Sequence, residues 1–183
     1  MNNHFSLKAS IVLAAMLALP FANAATMAKS DYKASKSRIS ADYKADKAAC
    51  AALSGNTKDI CVQEAKGKES VAKAELEFAY TGKSADSNKV LVAKAKSVYA
   101  VAKERCDDKA GNAKDVCVKE AKAVETKALA DAKMGKQIVE AKKDAAQEKR
   151  DADYKVAIEK CDALSGDAKS SCVANAKSTF GKS

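Results

Sequence analysis

Apolar positions along this chain recur at steps of three, four and seven. Ahead of Gly55, residues Tyr32, Ile39, Tyr43, Cys50 and Leu53 step by 7, 4, 7 and 3, the spacing of one helix face. Ahead of Gly111, residues Val92, Ala95, Tyr99, Ala102 and Cys106 step by 3, 4, 3 and 4. Past it, Cys117, Ala121, Val124 and Ala128 keep the rhythm. The stripes are narrow and rich in alanine, so the helices they predict approach closely and bury little area.

The punctuation is as regular as the stripes. Three segments nearly coincide: "CAALSGNTKDICVQEAK" from Cys50, "CDDKAGNAKDVCVKEAK" from Cys106 and "CDALSGDAKSSCVANAK" from Cys161. In each, a tyrosine (Tyr43, Tyr99, Tyr154) stands seven residues before the first cysteine. A glycine (Gly55, Gly111, Gly166) stands five residues after it, and the second cysteine six beyond the glycine. First cysteines are 56 and 55 residues apart, which marks a threefold internal repeat.

Glycine ends a helix cheaply because it takes the left-handed conformation without a Cβ clash. Asn56, Asn112 or Asp167 follows it, each a residue type suited to capping the next helix. Asp59 and Asp115 then place negative charge in the first turn, where the helix dipole favours it. Each copy therefore predicts a helical hairpin.

The hairpin gives the cysteines a role. On antiparallel arms, positions five before and six after the turn each rise by about 7–9 Å and meet at one height. Small neighbours (Ala49, Ala52, Ala102, Ala121) permit the Cα separation of about 4.4–6.8 Å that a disulfide needs. The predicted pairs are Cys50–Cys61, Cys106–Cys117 and Cys161–Cys172, each contributing about 3 kcal/mol in the chain-entropy account.

Between hairpins the signals are weaker. "YTGKSADSNK", Tyr80 to Lys89, reads as a turn with a cap at Ser87 or Asn88. Gly135 leaves two alternatives, a helix end or an interruption within one long helix running to Leu164. Glu64/Lys68, Glu69/Lys73, Asp115/Lys119 and Asp151/Lys155 are acid-then-base pairs at i, i+4 on exposed faces.

The N-terminus departs from all of this. Ala9 to Leu19 form an apolar run preceded by Lys8, and Pro20 is followed by the small-x-small pattern Ala22-Asn23-Ala24. This is the anatomy of a cleavable export signal, residues 1–24, and the run is too short to span a bilayer. Lys8 is the only charged side chain there, so the formal charge of +9 becomes +8 on removal. His4, the only histidine, goes with it. Six cysteines remain, an even number consistent with disulfides in an oxidising compartment.

Composition refines the picture. Residues 25–183 hold 34 alanines but only 23 Leu, Ile, Val and Phe, and no proline. Alanine with Lys, Glu and Gln favours helix, while so few large apolar residues cannot fill a thick core.

Chemistry is narrowed by the same inventory. Without histidine past residue 24, Ser-His and Cys-His nucleophiles and histidine zinc sites cannot be built. No C-x-x-C occurs, which argues against thiol-redox catalysis. Scattered carboxylates on lysine-rich helices read as solvated charges, and thin hairpins offer little concavity for a substrate. No catalytic residue, metal or cofactor is expected. The positive charge points to anionic envelope components or other exported proteins as partners, and the export signal argues against nucleic acid. Phe78, Tyr80, Val90, Leu91 and Val92 cluster as a candidate partner patch, or as packing between hairpins.

"CDDKAGNAKDVCVKEAKA" and "KRDADYKVAIEKCDALSGDAKSSCVANAK" resemble a family of small exported proteobacterial proteins of unknown function, rich in Ala and Lys and often labelled cell-envelope-biogenesis or TolA-like. The likeness covers most of the chain past the signal and centres on Tyr-x6-Cys-x4-Gly-x5-Cys. It implies a role at the cell envelope.

These readings combine into one expectation. Residues 25–183 form a single elongated, all-α, coiled-coil-like domain of about six helices in three disulfide-stapled antiparallel hairpins (about 28–80, 86–134 and 136–181). It is expected in the periplasm as a non-enzymatic structural or interaction protein without a membrane span. The alternative is a periplasmic chaperone or envelope-stress protein holding unfolded clients.

Overall fold

Alanine-rich tracts with apolar steps of three and four fold into long helices whose lengths are set by glycine. The structure, a computed structural model, describes residues 27–182; the expected export signal lies outside the described residues. Five α-helices follow one another: α1 Lys29–Ala49, α2 Gly55–Thr81, α3 Ser84–Cys106, α4 Gly111–Asp162 and α5 Gly166–Phe180. A single 3₁₀ turn, Cys50–Ala52, extends α1. The described residues contain no strand. The all-α, disulfide-stapled hairpin architecture is the expected one.

The helix count is five, not about six, because α4 runs for 52 residues straight through Gly135. At 1.5 Å per residue it is about 78 Å long. A lone interior glycine costs a helix only about 1 kcal/mol relative to alanine, and residues on either side hold it in place.

Each helix packs only on its neighbours in the chain: α1 on α2, α2 on α3, α3 on α4 and α4 on α5. The result is a single antiparallel layer, not a closed bundle. Its core is correspondingly thin. Cys50, Cys106 and Cys161 are fully buried, joined mainly by alanines (Ala65, Ala95, Ala132, Ala176) with Leu76 and Val90.

Helices α2 and α3 lie close together at Gly67. A Cβ built there would collide with Ser97 Oγ and lie 3.0 Å from Ser97 Cβ. A Cβ at that point would make the Ser97 hydroxyl turn away and the helices give slightly, so glycine is favoured there by space and not by conformation, its backbone being ordinary helix.

The three hairpin turns use left-handed glycine as expected, with φ of +56° at Gly55, +52° at Gly111 and +58° at Gly166. The capping expectation is corrected. Ser54, Ala110 and Ser165 occupy the N-cap positions, and none makes a side-chain cap bond. Asn56 lies two residues too late to cap α2. Its Nδ2 instead donates to the Glu104 carbonyl, at 2.9 Å, an acceptor near the end of α3 that also takes the Asp107 N–H.

The connection between α2 and α3 also starts earlier than expected. Gly82, φ +64°, ends α2 with its N–H donating to Phe78 O at 2.8 Å. Helix α3 begins at Ser84, three residues ahead of Ser87. Asp86, in the first turn, accepts from Thr81 Oγ1 at 2.6 Å, while Thr81 Oγ1 accepts from the Lys83 N–H at 3.2 Å. A carboxylate that ties the first turn back to the preceding helix fixes the start.

Of the expected i, i+4 pairs, Lys73–Glu69 forms at 2.7 Å. Lys68 reaches instead across to Asp46 on α1, and Lys182 takes Asp151, both at 2.8 Å. Neighbouring arms compete successfully for charges that lie only one helix away.

Candidate interaction surfaces

The tips of the hairpins are covalently closed. Disulfides join Cys50–Cys61, Cys106–Cys117 and Cys161–Cys172, with Cα separations of 5.7, 5.7 and 5.6 Å. No free cysteine is present among the described residues. In hairpins 2 and 3 an ion pair straddles the turn just outside the disulfide, Lys114–Asp107 at 2.9 Å and Lys169–Asp162 at 3.0 Å. Hairpin 1 has Ala51 where the others have the acid.

Two turns of helix below each staple stands the repeated tyrosine. Lys122 on α4 sits 4.9 Å from the ring centre of Tyr99, a cation–π contact. The carboxylate of buried Glu125 accepts from Lys122 Nζ at 2.7 Å, so ring, ammonium and carboxylate form one stack. Hydrogen bonding to Glu125, with its negative charge close by, holds the Lys122 ammonium above its ordinary pKa. Tyr154 meets Phe180 edge-on, ring centres 6.2 Å apart. The tyrosines close the stems and are not an exposed recognition stripe.

The five residues singled out as a partner patch do not form one surface. Val90 is buried among packed helices. Tyr80 lies against Tyr32 of α1, ring centres 4.5 Å apart, and the Tyr32 hydroxyl donates to Glu77 at 2.8 Å. Val92 is half-buried, and Phe78 is exposed. Leu91 alone opens onto a groove between α3 and α4.

That groove has largely apolar walls. Its volume is about 400 Å³, and it is lined by Leu91, Ala95, Val98, Val124 and Ala128, with Lys94, Glu125 and Asp131 at the rim. Leu91, Val98 and Val124 are each at least half exposed. Sequence reasoning found Val124 and Leu91 but put them in different features, and Val98 was missed. The missed signal was the step of seven from Leu91 to Val98, a second stripe beside the one through Tyr99.

Asp86 was also missed. It is 4% exposed, and its carboxyl is held below its ordinary pKa of 3.8 by hydrogen bonds from Lys89 and Thr81. Its role is structural, locking the turn between hairpins 1 and 2. No group of three or more Asp, Glu, Cys or His suited to a metal occurs among the described residues. None of the described helices is long and apolar enough to cross a membrane.

Comparison of the chain with protein-family models, with curated proteins and with solved structures finds no match.

Proposed function

We propose that this protein is a non-enzymatic structural or interaction protein of the periplasm, meeting cell-envelope components or other exported proteins through its charged helix faces. One observation carries the reading: every helix packs only on its chain neighbours. A single layer stapled at three tips leaves both broad faces outward, and those faces are dense in lysine. Three local disulfides suit an oxidising compartment, in keeping with export. The net positive charge favours anionic partners and steers their encounter.

Lysine-directed cross-linking in intact cells, read by mass spectrometry, tests this. A few reproducible envelope partners are expected. Recovery of none beyond chance, or of cytoplasmic proteins, would sink it.

The α3–α4 groove supports a second reading, a holdase for unfolded exported chains, because it presents Leu91, Val98 and Val124 to solvent. Purified protein would then suppress aggregation of a reduced client, and Leu91→Lys with Val124→Lys would abolish the effect. If neither protein protects, the holdase reading fails.

A further inference from the structure

The three hairpins are copies of one unit, so the way two of them meet can be compared with the third. Cys61 and Cys117 are 56 residues apart, and Cys106 and Cys161 are 55 apart. Adding 56 therefore carries α2 onto the first half of α4, and adding 55 carries α3 onto its second half.

Hairpins 1 and 2 meet through α2 and α3 at five places. Asn56 donates to Glu104 O, and Gln63 donates to the Glu104 carboxylate at 3.1 Å. Glu64 pairs with Arg105 and Glu75 with Lys94, each at 2.8 Å. Gly67 lies against Ser97.

Carried onto α4, these five become Asn112 with the Glu159 carbonyl, Lys119 with Glu159, Glu120 with Lys160, Asp131 with Lys149, and Ala123 with Ala152. Four of the five stay complementary as they stand: the amide–carboxylate bond becomes an ion pair, the carbonyl keeps its amide, and both acid–base pairs keep their sense. Gly/Ser becomes Ala/Ala, whose Cβ atoms would stand 3.0 Å apart in the α2–α3 geometry, so the two helices must lie a few tenths of an ångström further apart at that point.

None of these α4 residues has a partner of this kind among the described residues of one chain. Asn112, Lys119, Glu120, Ala123, Asp131, Lys149, Ala152, Glu159 and Lys160 are all exposed. The same side of α4 displays Val116, Met134, Ile138 and Val156, each 44–55% exposed and separated by steps of 18, 4 and 18. Eighteen residues is five full helical turns, so the four stand in one line. In α2 and α3 the counterparts of Val116 and Val156, Ile60 and Val101, are half-buried, while that of Met134, Phe78, stays 38% exposed.

A single chain cannot make these contacts. Glu120 and Lys160 lie 40 residues apart on one continuous helix, about 60 Å. The α2–α3 pairs are centred on the turn at Gly82–Lys83, whereas their α4 counterparts are centred near Ile138–Glu140, where the helix runs straight. Only a second α4 running antiparallel brings residue 160 to residue 120.

We propose that two copies of this chain pair antiparallel along α4, each seating its third hairpin on the α4 face of the other. The contact is isologous about a two-fold axis near Ile138, so every pair is made twice. It is a domain swap in which the continuous helix replaces the hinge turn, and it covers the long bare stretch Lys136 to Arg150, exposed at every residue.

Sedimentation equilibrium of the oxidised protein at micromolar concentration should give a dimer. Glu120→Lys sets like charges together twice per dimer and should weaken dimerisation about tenfold or more. Adding Lys160→Glu to the same chain should restore it. Gln137→Thr, Ile138→Gly and Ala141→Asp, which recreate Thr81, Gly82 and Asp86, should yield a compact monomer of unchanged helix content. A monomeric parent protein overturns the proposal, as does a dimer indifferent to Glu120→Lys.

Discussion

The turn at Thr81–Lys83 and the unbroken helix around Ile138 occupy the same place in consecutive repeats. At the first, Gly82 takes a left-handed φ of +64° and Asp86 ties the new helix back to Thr81. At the second, the equivalent residues are Ile138, Ala141 and Gln137. A β-branched residue cannot adopt φ > 0 without strain, and alanine and glutamine favour helix. Loss of the glycine, the threonine and the aspartate, in a linker one residue shorter (44 residues from Cys117 to Cys161 against 45 from Cys61 to Cys106), therefore goes with the change from a hairpin that folds back on its neighbour to one carried away on a straight rod. Repeat identity fixes each unit, and the linker decides how units are placed.

Removing staples from the two regions sharpens that contrast most. Cys106→Ser with Cys117→Ser should lower global stability by about 3 kcal/mol, read by urea unfolding. Cys161→Ser with Cys172→Ser should act locally, because α5 packs on α4 alone and its 15 residues are marginal as an isolated helix. Faster amide exchange confined to α5 is the expected signature. Equal loss of protection across α1 to α3 would show that the third hairpin is not independent.

Equivalent positions on the two rods give the next test. Gly67→Leu overfills the α2–α3 crossing and should destabilise the fold by about 1–3 kcal/mol. Ala123→Leu, at the matching exposed site of α4, should leave the thermal unfolding of the isolated chain within about 0.5 kcal/mol of the parent. Similar losses at both sites would refute the assignment of Gly67 as the close contact.

Acid gives the smallest effect. Asp86 is held below its ordinary pKa by Lys89 and Thr81, and Asp151 chiefly by Lys182. A carboxylate with a depressed folded pKa stabilises the fold above its unfolded value and loses that contribution as pH falls through the folded one. Both contributions should therefore fade below about pH 4. Asp86→Asn should flatten the acid limb of unfolding more than Asp151→Asn, since Asp86 is buried and Asp151 half-exposed.

Much of the architecture was legible in the chain itself. Apolar steps of three and four fixed the helices, the repeated glycine fixed the tips, and equal cysteine spacing fixed the disulfide partners, because each depends on residues close in sequence. The capping residues were misplaced by two positions at the hairpin tips and by four or five at α3, since the left-handed glycine sits within the first helical turn and Asp86 pulls the α3 start towards Thr81. The candidate patch dissolved for a different reason: Tyr80, Val90 and Leu91 are near in sequence but project to different neighbours. Tertiary structure alone decided that Gly67 is a contact residue, that Gly135 lies inside a 52-residue helix, and that one line of apolar side chains along α4 is left uncovered. Those outcomes turn on which helix lies opposite which, and in a chain of near-identical repeats the local signals are the same wherever a hairpin is placed.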